Sequence, residues 1–141
     1  MIIVDTSGLL SALDASQARH SASAAALRGS GAPRLLSPFV LAELDYLLST
    51  RVSSQVSLAF LDQVAGGAYQ LEPFSAEDVA SALAVLERYP DVDLGLADAS
   101  LLVLADRHGA TDILTLDERH FRTLVGPGGK RFRLLPADAA I

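Results

Sequence analysis

Two short apolar runs in this chain each end in an acid: Ile2-Ile3-Val4 runs into Asp5, and Ile113-Leu114-Thr115-Leu116 runs into Asp117. Runs this short and this apolar read as strands buried on both faces, the kind a parallel sheet uses. The segments between them carry helical spacing, caps and breakers. Thr6, Ser7 and Gly8 turn the chain, and Leu9, Leu10 and Leu13 recur at helical intervals. An Ala-rich helix is expected over 17–28, broken by the segment 29–33. Leu35 and Leu36 mark a second strand. Ser37-Pro38 opens a helix over 39–50, with Ser as N-cap and Pro at the first helical position. Another helix over 53–64 stops at Gly66-Gly67, and a strand is expected over 69–71. Ser75 and Asp78 form a capping box for a helix reaching Tyr89, where Pro90 ends it. A helix over 95–108 closes at Gly109. After Asp117 come a short helix to Leu124, a loop at 126–129 and a last strand over 132–135. Strands alternating with helices imply a mostly parallel sheet covered on both faces.

The 141 residues are the size of one ordinary domain, so a single domain over 1–141 is expected. The absence of cysteine excludes a disulfide framework, a thiolate zinc site and a cysteine nucleophile. The N-terminus, MIIVDTSGLL, lacks the basic start and long apolar run of a signal peptide. No apolar stretch approaches the ~20 residues of a membrane span. A soluble, cytoplasmic protein is expected. Half of the residues are apolar and the mean hydropathy is +0.34, an excess that implies a core plus at least one apolar contact surface. The net charge of −6 argues against nucleic-acid binding, but six of the eleven basic residues lie after position 100: Arg107, Arg119, Arg122, Lys130, Arg131 and Arg133.

Ligands of a parallel sheet bind beyond the carboxyl ends of its strands, where the chain's path around the sheet switches direction. Asp5 sits at such an end, where a carboxylate is costly unless it is paired, capped or bound to a cation. The competing reading is a cap on the following helix. Glu43 lies inside its helix, beyond the reach of capping or the helix dipole. It shares a face with Phe39, Val40, Tyr46 and Leu47, with no Lys or Arg three or four residues away. It needs a partner such as a metal ion or a metal-bound water, unless it is a partly exposed Glu at the edge of the stripe. Asp45 points elsewhere and reads as surface or interface. Asp98, in the first turn of LADASLLVLADRHG, is a cap or a ligand. Asp117 repeats the logic of Asp5. Four carboxylates in one crevice cannot all stay ionised without a cation. Oxygen-only ligation selects Mg²⁺ or Mn²⁺ rather than zinc. One or two such ions activate water and stabilise both oxygens of a phosphodiester in an in-line displacement. Thr6, Ser7 and Thr115 stand beside these acids and either hold them, orient water or cap helices. His20 and His108 read as surface residues, as does His120, for which a phosphate contact is the second reading.

With these pieces in place, the chain resembles the PIN-domain ribonucleases, specifically the VapC-type toxins of bacterial type II toxin–antitoxin systems. The resemblance rests on IIVDTSGLL, SPFVLAELDYLL, DLGLADASLLVLADRHG and ILTLDERHF, in order and over nearly the whole chain. It implies a three-layer α/β/α sandwich with a mostly parallel sheet of four or five strands. It implies Mg²⁺ or Mn²⁺ at Asp5 and Asp98, with Glu43 and Asp117 completing a catalytic site, directly or through water. It also implies cleavage of structured RNA such as a tRNA or ribosomal RNA loop, a homodimer, and a cognate VapB-type antitoxin that fills the toxin's groove. Asp91 matches an acid frequent in the family and is expected to support the site, whereas Asp93 stands where many relatives carry another residue. The stretch Ser37 to Arg51 and the AGGAY at 65–69 resemble a subgroup acting on ribosomal RNA. Arg119, Arg122, Lys130 and Arg131 are the candidates for RNA contact.

Three rivals are weaker. DTSG resembles the catalytic turn of aspartic proteases, but those are all-β and here helices surround the motif. A phosphoryl-transfer hydrolase with Asp5 as nucleophile would want an acid at position 7 and a mid-chain lysine; position 7 is Ser and the only lysine is Lys130. A PIN-like module that binds RNA or protein without cutting predicts the same fold, and metal-dependent cleavage separates it from the enzyme.

Overall fold

The computed structural model describes residues 1–139. Its strands are β1 (Ile2–Val4), β2 (Arg34–Leu36), β3 (Gln70–Leu71), β4 (Asp112–Leu114) and β5 (Arg133–Leu135). They form one five-stranded sheet in the order β3-β2-β1-β4-β5, every pairing parallel. Ile2, Ile3, Val4, Leu35, Leu36, Ile113 and Leu114 are fully buried, as the apolar runs predict for central strands. The chain leaves β1 towards β2 and β3, and later returns to the other side through β4 and β5. The junction between β1 and β4 is therefore the topological switch point.

The helices are α1 (Thr6–Leu13), α2 (His20–Gly29), α3 (Pro38–Leu47), α4 (Ser54–Ala65), α5 (Ala76–Arg88), α6 (Leu96–His108) and α7 (Glu118–Phe121). With this strand order, the right-handed rule for parallel crossovers puts α1 to α4 on one face and α5 to α7 on the other, a three-layer sandwich. The local signals act as expected. Ser37 Oγ accepts the Phe39 N–H at 3.2 Å with Pro38 at the helix start. Ser75 and Asp78 close their capping box, and Gly109 ends α6 in the left-handed conformation with φ 65°.

Four boundaries differ from expectation, the simplest being the short helix after Asp117, which ends at Phe121 rather than Leu124. The helix after Ser37 is α-helical only to Leu47 and continues as a π-helical turn over Leu48–Val52, where the Ser53 N–H reaches back to the Leu48 carbonyl at 2.9 Å. The helix expected from 17 begins at His20, because the Asp14 carboxylate gathers the Ser16 N–H, the Ser16 hydroxyl and the Gln17 amide into a turn. The strand expected over 113–116 ends at Leu114, because the Leu116 N–H is taken by the Ser7 hydroxyl rather than by a neighbouring strand. Among the described residues, no helix is long and apolar enough to cross a membrane.

Candidate active site

Asp5 leaves β1 and precedes α1, yet its side chain makes no cap hydrogen bond. Its Oδ2 accepts the Thr115 hydroxyl at 2.7 Å and the Ser7 hydroxyl at 3.1 Å. Both hydroxyls in turn accept backbone N–H groups of the β4–α7 connection, Thr115 from Asp117 at 3.0 Å and Ser7 from Leu116 at 3.0 Å. The two carboxyl ends at the switch point are thus stitched together through hydroxyls whose protons converge on Asp5. That carboxyl is only 7% exposed. Its pKa is pushed up to about 6, chiefly by burial and further by the charge of Asp98, against the lowering effect of its hydrogen bonds.

Asp98 lies in the first turn of α6 and accepts the Gly95 N–H at 3.2 Å. The cap reading therefore holds, and it does not exhaust the residue. Burial raises the Asp98 pKa, with Asp117 and Glu43 adding to the rise and the Gly95 N–H and His120 opposing it. Asp117 caps α7 by accepting the His120 N–H at 3.1 Å. The His120 Nδ1 lies 2.7 Å from Asp117 Oδ2, although the ring N–H is not aligned as a hydrogen bond. Glu43, expected to be an acid stranded on an apolar stripe, is instead exposed at the stripe's edge, so burial does not explain its need for a partner. What distinguishes it is where it points. Asp5, Glu43, Asp98 and Asp117 line one pocket of about 260 Å³, together with Thr6, Ser7, Leu10 and Leu47. A second hydroxyl pair fixes the helices that bring two of the acids: buried Ser37 at the start of α3 bonds buried Ser100 in α6 at 2.7 Å.

The pocket fits a hard divalent cation. Its donors are all oxygens, its most buried carboxyl resists ionisation, and the Thr6 Oγ1 in its wall is buried without a hydrogen-bond partner among the described residues. Among the described residues, no three acids or histidines are close enough to grip one ion by themselves. Mg²⁺ does not need such a cage, since it keeps several waters and takes one or two carboxylates.

The remaining expectations divide. Asp91 does not line the acid pocket; it is exposed in a neighbouring depression with Asp93, Arg119, His120 and Thr123. Arg122 is not free for RNA: its guanidinium is held by both Asp138 oxygens at 2.9 and 2.7 Å and by Glu118 at 2.7 Å. Arg131 donates to the Arg122 carbonyl at 2.6 Å, and Lys130 and Arg119 are exposed. His120 carries more than its surface reading allowed, because it borders both the depression and Asp117. The signal was its place three residues after Asp117 at a helix start. A larger cleft of about 680 Å³ lies between α5, α6 and the loop at 126–129, but its Asp78 is paired with Arg107 at 2.9 Å and no acid cluster faces it.

Comparison with known proteins identifies the family and the fold. A family model described as the PIN domain matches residues 2–125. Ribonuclease VapC26 of Mycobacterium tuberculosis is 43% identical over 135 residues, 96% of this chain and 100% of that protein. The crystal structure of Mycobacterium tuberculosis VapC20, described as a Sarcin-Ricin loop cleaving toxin, superposes with a TM-score of 0.77 at 22% identity over 83% of this chain and 90% of that one. VapBC2 from Rickettsia felis, bound to a promoter DNA fragment, gives 0.65 at 19% identity over 95% and 98%. FitAcB from Neisseria gonorrhoeae gives 0.61 at 19% over 84% and 88%. At these identities the structural matches establish the fold alone.

Proposed function

The chain belongs to the PIN-domain family, among the VapC ribonucleases, and from that membership we propose that it is a metal-dependent endoribonuclease toxin. In this reading it hydrolyses phosphodiester bonds in a structured RNA, a tRNA or ribosomal RNA loop, and is neutralised by a cognate VapB-type antitoxin. The observation that carries the proposal is the convergence of Asp5, Glu43, Asp98 and Asp117 on one pocket at the switch point of the sheet.

Asp5 and Asp98 would hold Mg²⁺ or Mn²⁺, with Glu43 and Asp117 completing the site directly or through water. The bound ion supplies Lewis-acid neutralisation of the phosphate and makes water a better nucleophile. Thr115 and Ser7 fix Asp5 by donating both their protons to Oδ2, which orients the carboxylate and favours its charged form. Glu43, solvent-facing and without a hydrogen-bonded partner among the described residues, accepts the proton of the attacking water on its carboxylate. Asp117 is oriented by the His120 backbone N–H, which donates to its Oδ1. Arg119 and Lys130 are the exposed cations that would meet RNA phosphates. The resemblance of the stretch Ser37 to Arg51 and of AGGAY at 65–69 to a subgroup acting on ribosomal RNA favours a ribosomal loop as target. We place all of this in one domain over 1–141, working as a homodimer through the apolar surface of α5, where Val79 and Leu83 stay 46% and 54% exposed one turn apart.

The test is cleavage of total bacterial RNA, with and without Mg²⁺, by the wild type and by Asp98→Asn. Discrete cuts that need both the metal and Asp98 support the reading. No cleavage by a folded, metal-loaded, antitoxin-free wild type would leave a PIN-like module that binds without cutting.

A further inference from the structure

Tyr46 is the exposed aromatic nearest in sequence to the acid pocket. It lies one helical turn after Glu43 on α3 and next to Leu47, and both of those residues line the pocket. Large apolar rings are usually withdrawn from water, yet this one is 65% exposed. The other aromatic rings of this neighbourhood are paired: Phe39, one turn before Glu43, stacks edge-on against Phe74 at 5.0 Å, and Phe60 meets Tyr69 at 5.3 Å. Among the described residues, Tyr46 has no aromatic or hydrogen-bonded side-chain partner. Its backbone, by contrast, is held. The Tyr46 carbonyl accepts the Ser49 hydroxyl at 3.1 Å and the Thr50 hydroxyl at 2.7 Å, just where α3 widens into the π-helical turn. π-helical turns occur frequently at functional sites. The result is a ring presented to solvent on a fixed base, between two residues of α3, Glu43 and Leu47, that line the acid pocket.

We propose that Tyr46 is a stacking platform for the nucleobase adjoining the scissile phosphate, and that it selects RNA whose base there is unpaired and free to swing out. This rests on the nuclease reading above. Tyr46 follows Glu43 by one turn of α3, ~5.4 Å along the helix, so in this reading a strand whose phosphate meets the acids lays its neighbouring base on the Tyr46 ring. Single-stranded RNA is held in this way, with aromatic faces taking bases and cations taking the backbone. A stack on Tyr46 cannot form while that base is paired inside a duplex, so the platform favours loops over stems.

The experiment measures binding of a fluorescent 12-nucleotide single-stranded RNA to the cleavage-silenced Asp98→Asn protein with Mg²⁺ present. Tyr46→Ala, Tyr46→Leu and Tyr46→Trp are added in turn, each at several salt concentrations. Stacking predicts roughly ten- to hundredfold weaker binding for Ala and Leu, with Trp close to Tyr. It also predicts an unchanged salt slope, because no phosphate contact is lost. Tyr46 is exposed, so melting temperatures of the variants should match the parent. Equal affinity for Tyr and Ala overturns the platform while leaving the nuclease reading intact. Rescue by Leu overturns it too, showing apolar contact without stacking, and a change in sedimentation mass with Ala would instead assign the ring to a protein interface. Absence of any RNA binding by the parent, together with no cleavage by the wild type, overturns both.

Discussion

A carboxyl at the end of a buried strand must be paired, hydrogen-bonded or neutral, and Asp5 is hydrogen-bonded by the Thr115 and Ser7 hydroxyls, with no cation paired to it among the described residues. Its pKa of about 6 in the fold lies above the ordinary 3.8. The fold therefore favours the protonated form. That contribution is full below about pH 4 and lost as pH rises through about 6, and it amounts to about 3 kcal/mol over the window. In EDTA, Asp5→Asn should gain on the wild type by about that much between pH 4 and pH 7, measured by urea unfolding, and Mg²⁺ should close the gap by stabilising the wild type alone. Parallel pH curves for the two proteins would show that Asp5 ionises without penalty. The basic residues carry a second prediction at this scale. Arg122 is consumed by Asp138 and Glu118, so Arg122→Ala should lower the urea midpoint and leave RNA affinity unchanged. Arg119→Ala should do the reverse, reducing the salt slope of RNA binding by about 0.7. The acids were legible in the sequence because apolar neighbours made them conspicuous. The state of Arg122 was not, because its partner Asp138 lies sixteen residues away across a strand. Glu43 joins the other acids in the pocket, but of its two readings the structure favours the second: the stripe is real, and the residue stands at its exposed edge.

Between elements, the site depends on how closely α1 crosses the end of β4. Gly8 permits that approach: a Cβ there would stand 2.3 Å from the Leu114 carbonyl oxygen and 2.8 Å from the Leu114 Cγ. Neither the backbone nor a fully buried Leu can yield that far without displacing the strand from the helix. Gly8→Ala should destabilise the fold by about 1–3 kcal/mol or more, as overpacked cores do. It should also weaken Mg²⁺ binding, since moving α1 off β4 separates the Ser7 and Asp5 side from Thr115. Urea unfolding and a calorimetric Mg²⁺ titration check the two effects, and a variant with wild-type stability and wild-type metal affinity would refute the crowding argument. In the sequence, Gly8 reads only as part of a turn after Asp5, because what it must avoid comes from residue 114. The caps at Ser37, Ser75 and Gly109 were legible because their geometry is local. The π-helical turn at Leu48–Val52 was not, because its one extra residue per turn leaves the apolar periodicity on either side intact.

For the whole molecule, the open question raised by composition is where the apolar excess goes. The core takes most of it, and the strongest remaining exposure on α5 is the pair Val79 and Leu83, on one face and flanked by Ala76 and Ala80. Small residues beside two aliphatic ones suit a helix packed against its own symmetry mate, since an isologous seam sets each residue near its twin across the two-fold axis. Leu83→Glu tests this without touching the site. The side chain is half exposed in the protomer, so its replacement should leave the urea midpoint of the isolated subunit within about 0.5 kcal/mol. In the dimer it would bury two carboxylates against each other, in a chain whose net charge is already −6. Sedimentation should then show the wild type at twice the chain mass and Leu83→Glu at the chain mass. A dimeric Leu83→Glu would move the seam to another exposed face, such as the one carrying Leu58 on α4, which is 66% exposed. A monomeric wild type would mean that the α5 stripe is covered by a different protein, and the antitoxin would be the first partner to add.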